Sequence, residues 1–168
     1  MNAPLPLAGD RARVTTWVAV DPVDAFEVFT SEIDLWWRRG RRYRGGEGQA
    51  ALRFRGGAGG ALVEQLADGT TRIIGKVLAW EPGARLMFEW RGSNFEGTQR
   101  TEVEVRFEAA RDGTQVTLEH RGWAAIPADH PARHGMQGSA FTGMIGRYWG
   151  DLCTSFREHA AERARPTD

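Results

Sequence analysis

TEVEVRFEAARDGTQVTLEHR, residues 101–121, is the stretch whose pattern decides the fold. From Thr101 to Glu108, Val103, Val105 and Phe107 alternate with Glu102, Glu104, Arg106 and Glu108. Successive side chains of a strand point to opposite faces, so the alternation predicts a strand with one buried and one solvated face. Asp112-Gly113 is a hairpin signal. Beyond it Val116, Leu118 and His120 share one side while Thr117 and Glu119 take the other. The segment therefore reads as an antiparallel hairpin with its apolar face toward a core and His120 inward.

The same period extends toward the N-terminus. Leu86, Phe88 and Trp90 alternate through Arg85–Arg91, and Glu81-Pro82-Gly83 separates that strand from TRIIGKVLAW, residues 71–80. Asp68-Gly69 joins the latter to ALVEQ at 61–65, and GGAGG at 56–60 bends the chain back to Leu52 and Phe54, which alternate with Arg53 and Arg55. RVTTWVAV, residues 13–20, is β-branched and reads as the first strand. Two short helices follow it. Asp21-Pro22 supplies an N-cap and a first-turn proline ahead of Ala25, Phe26, Val28 and Phe29. Ser31 with Asp34 resembles a variant capping box opening the second helix, which carries Ile33, Leu35, Trp36 and Trp37. Toward the C-terminus a long loop, 122–138, precedes a helix that Ser139 is expected to cap and that runs to about Arg163. Phe141, Ile145, Tyr148, Trp149, Leu152 and Phe156 recur along it at three- and four-residue steps. A sheet with one apolar face must cover it, and this helix is the one element long enough, so the class is α+β with the sheet curled around the last helix.

Composition bounds the function. The chain has 168 residues with 22 basic and 22 acidic side chains, a net charge of +0. A chain without basic excess is not expected to bind nucleic acid generally. Cys153 is the single cysteine, which excludes a disulfide framework and fits a reducing, cytoplasmic setting. MNAPLPLAGD has no secretory pattern, and no apolar run reaches the roughly 20 residues of a bilayer span, so no membrane insertion is expected. Residues 1–12 read as a flexible leader, 13–164 as a single domain and 165–168 as a tail. Seven tryptophans remain to be placed.

Large rings point inward from every element: Trp36 and Trp37, Phe54, Phe88, Trp90, Phe107, Tyr148 and Trp149. Together with His120, Phe141, Ile145 and Leu152 they are the expected lining of a ligand cavity. His120 reads either as an acid/base group or as a buried histidine bonded within the fold. Glu64 faces inward if Leu62 and Leu66 do, and outward if Val63 does. Tyr148 offers a hydroxyl from the helix stripe. Asp129, His130 and His134 superficially resemble a metal set, but Pro131 interrupts them and no H-E-x-x-H or cysteine ligands accompany them, so no metal is expected. Nor is a cofactor, since GGAGG lacks the Lys-Ser/Thr of a phosphate loop. Cys153 reads as a packing residue. Arg38, Arg39, Arg41, Arg42 and Arg44 gather around Tyr43 as a patch for an anion or an acidic partner. Gly143, Gly146 and Gly150 form a flat stripe that a homodimer contact would suit.

VAVDPVDAFEVFT at 18–30, EIDLWW at 32–37, GKVLAWEPGARLMFEW at 75–90, the hairpin extended to Trp123 and the aromatic last helix resemble the activator of heat-shock-protein-90 ATPase homologue-like family of the START/Bet v 1-like (SRPBCC) superfamily. The resemblance covers roughly residues 13–160. It implies a helix-grip fold, a curved seven-stranded antiparallel sheet around the C-terminal helix with an apolar cavity between them. It also implies binding of a small hydrophobic molecule, to which the arginine patch adds the expectation of an anionic head group. The alternatives are a cyclase or hydrolase using His120, Glu64 or Tyr148, and a co-chaperone or adaptor with a chaperone partner.

Overall fold

A computed structural model of the chain describes residues 10–164. The tail 165–168 and residues 1–9 of the expected leader lie outside that range. The elements are β1 (Ala12–Val18), α1 (Pro22–Ser31), α2 (Ile33–Trp36), β2 (Ala51–Arg55), β3 (Ala61–Gln65), β4 (Thr71–Glu81), β5 (Arg85–Trp90), β6 (Thr101–Ala110), β7 (Gly113–Arg121) and α3 (Gly138–Arg163). The strands form one seven-stranded antiparallel sheet in the order β1-β7-β6-β5-β4-β3-β2. With α3 covering the apolar face and α1 and α2 after β1, this is the expected α+β helix-grip arrangement.

The deciding hairpin pairs as its alternation requires, Val103 with His120, Val105 with Leu118 and Phe107 with Val116. Its turn differs by one residue from the expected Asp112-Gly113. Arg111 and Asp112 are the two turn residues, both left-handed at φ 49° and 61°, as a type I′ turn demands. Gly113 already belongs to β7 and is needed for a different reason: a Cβ there would lie 2.2 Å from the Val18 carbonyl oxygen. On the outer face Glu104 is covered by Arg85, Arg106 and Arg121. Burial pushes its carboxyl up, and the three guanidinium groups outweigh that and leave it below the usual range.

Two helix starts also differ. Asp21 caps α1 as expected, its Oδ1 accepting from the Asp24 amide at 2.8 Å. The Ser31/Asp34 box does not form: Ser31 is the last residue of α1, and Glu32 precedes α2 without a side-chain cap. Asp34 instead accepts from the Leu52 amide at 2.9 Å and from Arg44. Burial raises its pKa, but these two partners more than offset that and hold it low. Likewise α3 starts at Gly138 after Gln137, with no side-chain cap, so Ser139 is not its cap.

The concave space is filled rather than hollow. Phe29, Trp36, Phe156, Phe107 and Phe26 interlock edge to face or tilted, with centroid separations of 4.9–6.1 Å. Such geometry adds to the stabilisation from burial alone. The indole N–H of Trp36 donates to the Val28 carbonyl and that of Trp37 to the Tyr43 carbonyl, so neither ring sacrifices its polar atom. A smaller cluster of Phe95, Trp123, Ile126 and Phe141 sits at one end of α3.

Candidate functional site

A cavity of about 290 Å³ lies where these two clusters meet. β5 and β7 contribute Trp90 and His120, and α3 contributes Met144, Ile145 and Tyr148. The connection after β5 adds Ser93, Asn94 and Phe95, the connection after β7 adds Trp123, Ala132 and His134, and Arg42 stands on the loop before β2. The wall is thus half regular structure and half connecting loop. Its rings are contiguous: Trp37 stacks on Trp90 at 6.1 Å, Trp149 meets both edge on, and His120 lies 5.0 Å from Trp123.

His120 is the polar centre of this wall. It is 2% exposed, and desolvation drives its pKa down to about 3, so the ring is neutral at physiological pH. Trp149 donates its indole N–H to Nδ1 at 3.0 Å. That assigns the proton to Nε2, which donates to the Thr101 hydroxyl at 2.6 Å, and Thr101 in turn donates to the Trp90 carbonyl at 3.2 Å. One chain of bonds therefore joins α3, β7, β6 and β5 and fixes the orientation of Trp149. Both ring nitrogens are engaged, so His120 holds no free lone pair for proton abstraction.

The loop half of the wall is tied internally. Arg133 is buried and donates to the carbonyls of Trp123, Ile126 and Pro127, with its guanidinium 4.8 Å from the Phe141 ring centroid. His130 accepts from the Ala132 amide through Nδ1 and meets Gln99 through Nε2 at 3.1 Å, which links the two loops. Phe95 packs edge on against both Trp123 and His130. The indole N–H of Trp123 is buried and has no partner among the described residues.

Of the residues expected around a cavity, Trp90, His120, Ile145 and Tyr148 line this one. Trp36, Trp37, Phe54, Phe88, Phe107 and Leu152 belong to the filled core, Trp149 backs the wall from behind His120, and Phe141 lies in the smaller cluster. Burial holds the Tyr148 hydroxyl well above the ordinary phenol range, so it is protonated. Glu64 is buried, yet it does not reach the cavity: it pairs with Arg72 and accepts from the Gly45 amide at 2.6 Å. A bulge between Leu62 and Val63 explains why strict alternation could not place it, since Leu62, Val63 and Glu64 are all buried. Cys153 is buried and its thiol is pushed up to about 12 by desolvation.

The five arginines are divided. Arg44 is fully buried and pins the loop, donating to Asp34, to the carbonyls of Asp34, Trp37 and Ala50, and to that of Arg38. Arg38 bonds Ser155 at 2.8 Å, and Arg39 and Arg41 face Asp34 and Glu47. Only Arg42 lines the cavity. Asp129 and His134 are exposed, while His130 is committed to the loop. A Cβ at Gly146 or Gly150 would meet open space, so that side of α3 is uncovered among the described residues. No helix among them is long and apolar enough to cross a membrane.

Thr101, Phe95, Trp123, Met144 and Arg133 were not anticipated. Phe95, Trp123 and Arg133 lie in connections, where no period reveals a facing direction, and Thr101, though on the inward register of Val103 and Val105, is a polar residue at the end of its strand that the apolar pattern does not single out. The available signal for Trp123 was its adjacency to His120 in HRGW.

Comparison with known proteins agrees with this architecture. Protein MLL2253 from Mesorhizobium loti superposes with a TM-score of 0.64 at 16% identity, covering 93% of this chain and 99% of its own. The Aha1 dimer from Colwellia psychrerythraea gives 0.62 at 15% identity, with 93% and 98% covered. Txn09, an anthrahydroquino-γ-pyrone synthase, gives 0.54 at 27% identity, with 92% and 99% covered. No curated protein sequence matches the chain. The profile of the family described as Activator of Hsp90 ATPase homolog 1-like protein matches residues 10–144, most of the described domain, and the chain belongs to that family.

Proposed function

We propose that this protein binds a small, ring-bearing hydrophobic molecule in the cavity beside His120. The observation that carries the reading is the wall itself: Trp90, Phe95, Trp123, Met144, Ile145 and Tyr148 converge on about 290 Å³ of space that the core does not fill. Pockets for small molecules are mostly apolar with a few fixed polar groups, and this volume has room for about two or three fused rings. His120 supplies no free base, which favours holding over converting.

Fluorescence and melting test this together. A fused-ring ligand should quench Trp90 and Trp123, and at a free concentration of about 100 Kd it adds about 2.7 kcal/mol, which raises Tm by roughly 5–10 °C. A panel of fused aromatics that neither quenches nor stabilises the protein would overturn the reading.

The likeness to a synthase favours a second reading, reaction of the bound molecule. Its proton donor would be Tyr148, since Glu64 is outside the cavity. Conversion of a hydroxylated anthraquinone followed by mass spectrometry, abolished in Tyr148→Phe, would support it. Because a cyclisation conserves mass, products are separated by chromatography before the mass is read, and a single unaltered peak while the ligand stays bound would exclude it for that substrate.

A further inference from the structure

The charge distribution at the cavity narrows the ligand class, an inference that rests on the binding reading above. Among the described residues lining the cavity there is no carboxylate, and Arg42 is the one with a permanent charge. Arg42 is half-exposed and makes no hydrogen bond to a described residue; its ionic partner is Asp151, 3.7 Å away. That separation is too long for a hydrogen bond, and pairs of this exposed kind contribute little. Asp151 is already engaged by the Tyr43 hydroxyl at 3.1 Å, so it loses little if Arg42 turns away. The guanidinium lies 5.5 Å from the Tyr43 ring centroid, and Tyr43 stacks on Tyr148 at 5.3 Å, which continues the aromatic wall out to the charge. Tyr148 also lines the cavity and carries a hydroxyl. Glu64, the nearby buried carboxylate, is consumed by Arg72 and the Gly45 amide.

We propose that the cavity selects aromatic acids: a flat fused-ring body lies against Trp90 and Trp123 while its carboxylate takes Arg42 from Asp151. Two donors serve the anion, the charged Arg42 guanidinium and the neutral Tyr148 hydroxyl. The guanidinium supplies charge and a paired set of N–H groups, which match a carboxylate better than any other common group. Asp151 is a weak competitor for Arg42 when no ligand is present.

The experiment titrates the full chain with an anthraquinone carboxylate and with the corresponding carboxamide, which share ring and shape and differ in charge. Tryptophan quenching is the readout. The carboxylate is expected to bind about tenfold more tightly, the size of one charge-assisted bond. Arg42→Gln should reduce that preference to within about twofold by weakening the carboxylate far more than the carboxamide. Asp151→Asn should act in the opposite direction, tightening the carboxylate and not the carboxamide, which a merely damaged loop would not do. Equal affinity for both probes in the wild type, or a preference that survives Arg42→Gln, overturns this proposal and leaves the binding reading standing. Failure of both probes to bind overturns the binding reading and this proposal with it.

Discussion

Acid should weaken this fold through His120. The ring is buried and its pKa stands at about 3, against an ordinary value of about 6.5 in an unfolded chain. Between these two values the unfolded chain takes up a proton that the folded chain refuses. Stability is therefore complete above the unfolded value and is lost progressively as pH falls toward the folded one. Each pH unit in that window removes about 1.4 kcal/mol, so acidifying from neutrality to about pH 5 costs about 2 kcal/mol and the whole window about 5. Desolvation is the cause, and the bond from the Trp149 indole to Nδ1 acts in the same direction, because a proton on Nδ1 would set two donors against each other. Urea unfolding of the wild type and His120→Gln, followed across this range, isolates the effect, since the other titrating groups are common to both. The variant should lose about 1–3 kcal/mol at neutral pH from the broken chain to Thr101 and Trp149. It should also lack about one proton's worth of pH slope. Equal slopes in the two proteins would refute the argument.

Other substitutions follow from the same contacts. Arg44→Met should cost about 3–5 kcal/mol by urea unfolding, because it strands Asp34 and the carbonyls of Trp37 and Ala50. Asp21→Ala should cost about 1 kcal/mol while Ser139→Ala stays within about 0.5, since only the former caps a helix. At the deciding hairpin, Gly113→Ala should destabilise strongly, its Cβ colliding with the Val18 carbonyl, whereas Asp112→Gly should raise the unfolding midpoint by relieving a left-handed residue.

The sheet was legible because its strands alternate without interruption where the core lies, as Val103, Val105 and Phe107 facing Leu118 and Val116 illustrate. Errors fell where one residue type serves two purposes. Gly113 resembled a turn residue, yet it is there to admit the Val18 carbonyl, and the turn uses Arg111 and Asp112. Ser31 and Asp34 had capping spacing, but Asp34 is drawn away by Arg44. The cavity was harder to place. Most rings on regular elements had partners across the sheet and so filled the interior, leaving space where β5, β7 and α3 meet irregular chain. Phe95 and Trp123, which close that space, lie in connections without period.

The most direct test of the account uses the tryptophans themselves. The seven indole N–H resonances, assigned by substitution, report which rings sense a bound fused-ring aromatic. Trp90 and Trp123 should shift most, with Trp149 following through its bond to His120, while Trp17 and Trp80 stay in place. Saturation with ligand that leaves Trp90 and Trp123 unmoved, or that shifts Trp17 and Trp80 instead, would contradict the cavity as the binding site.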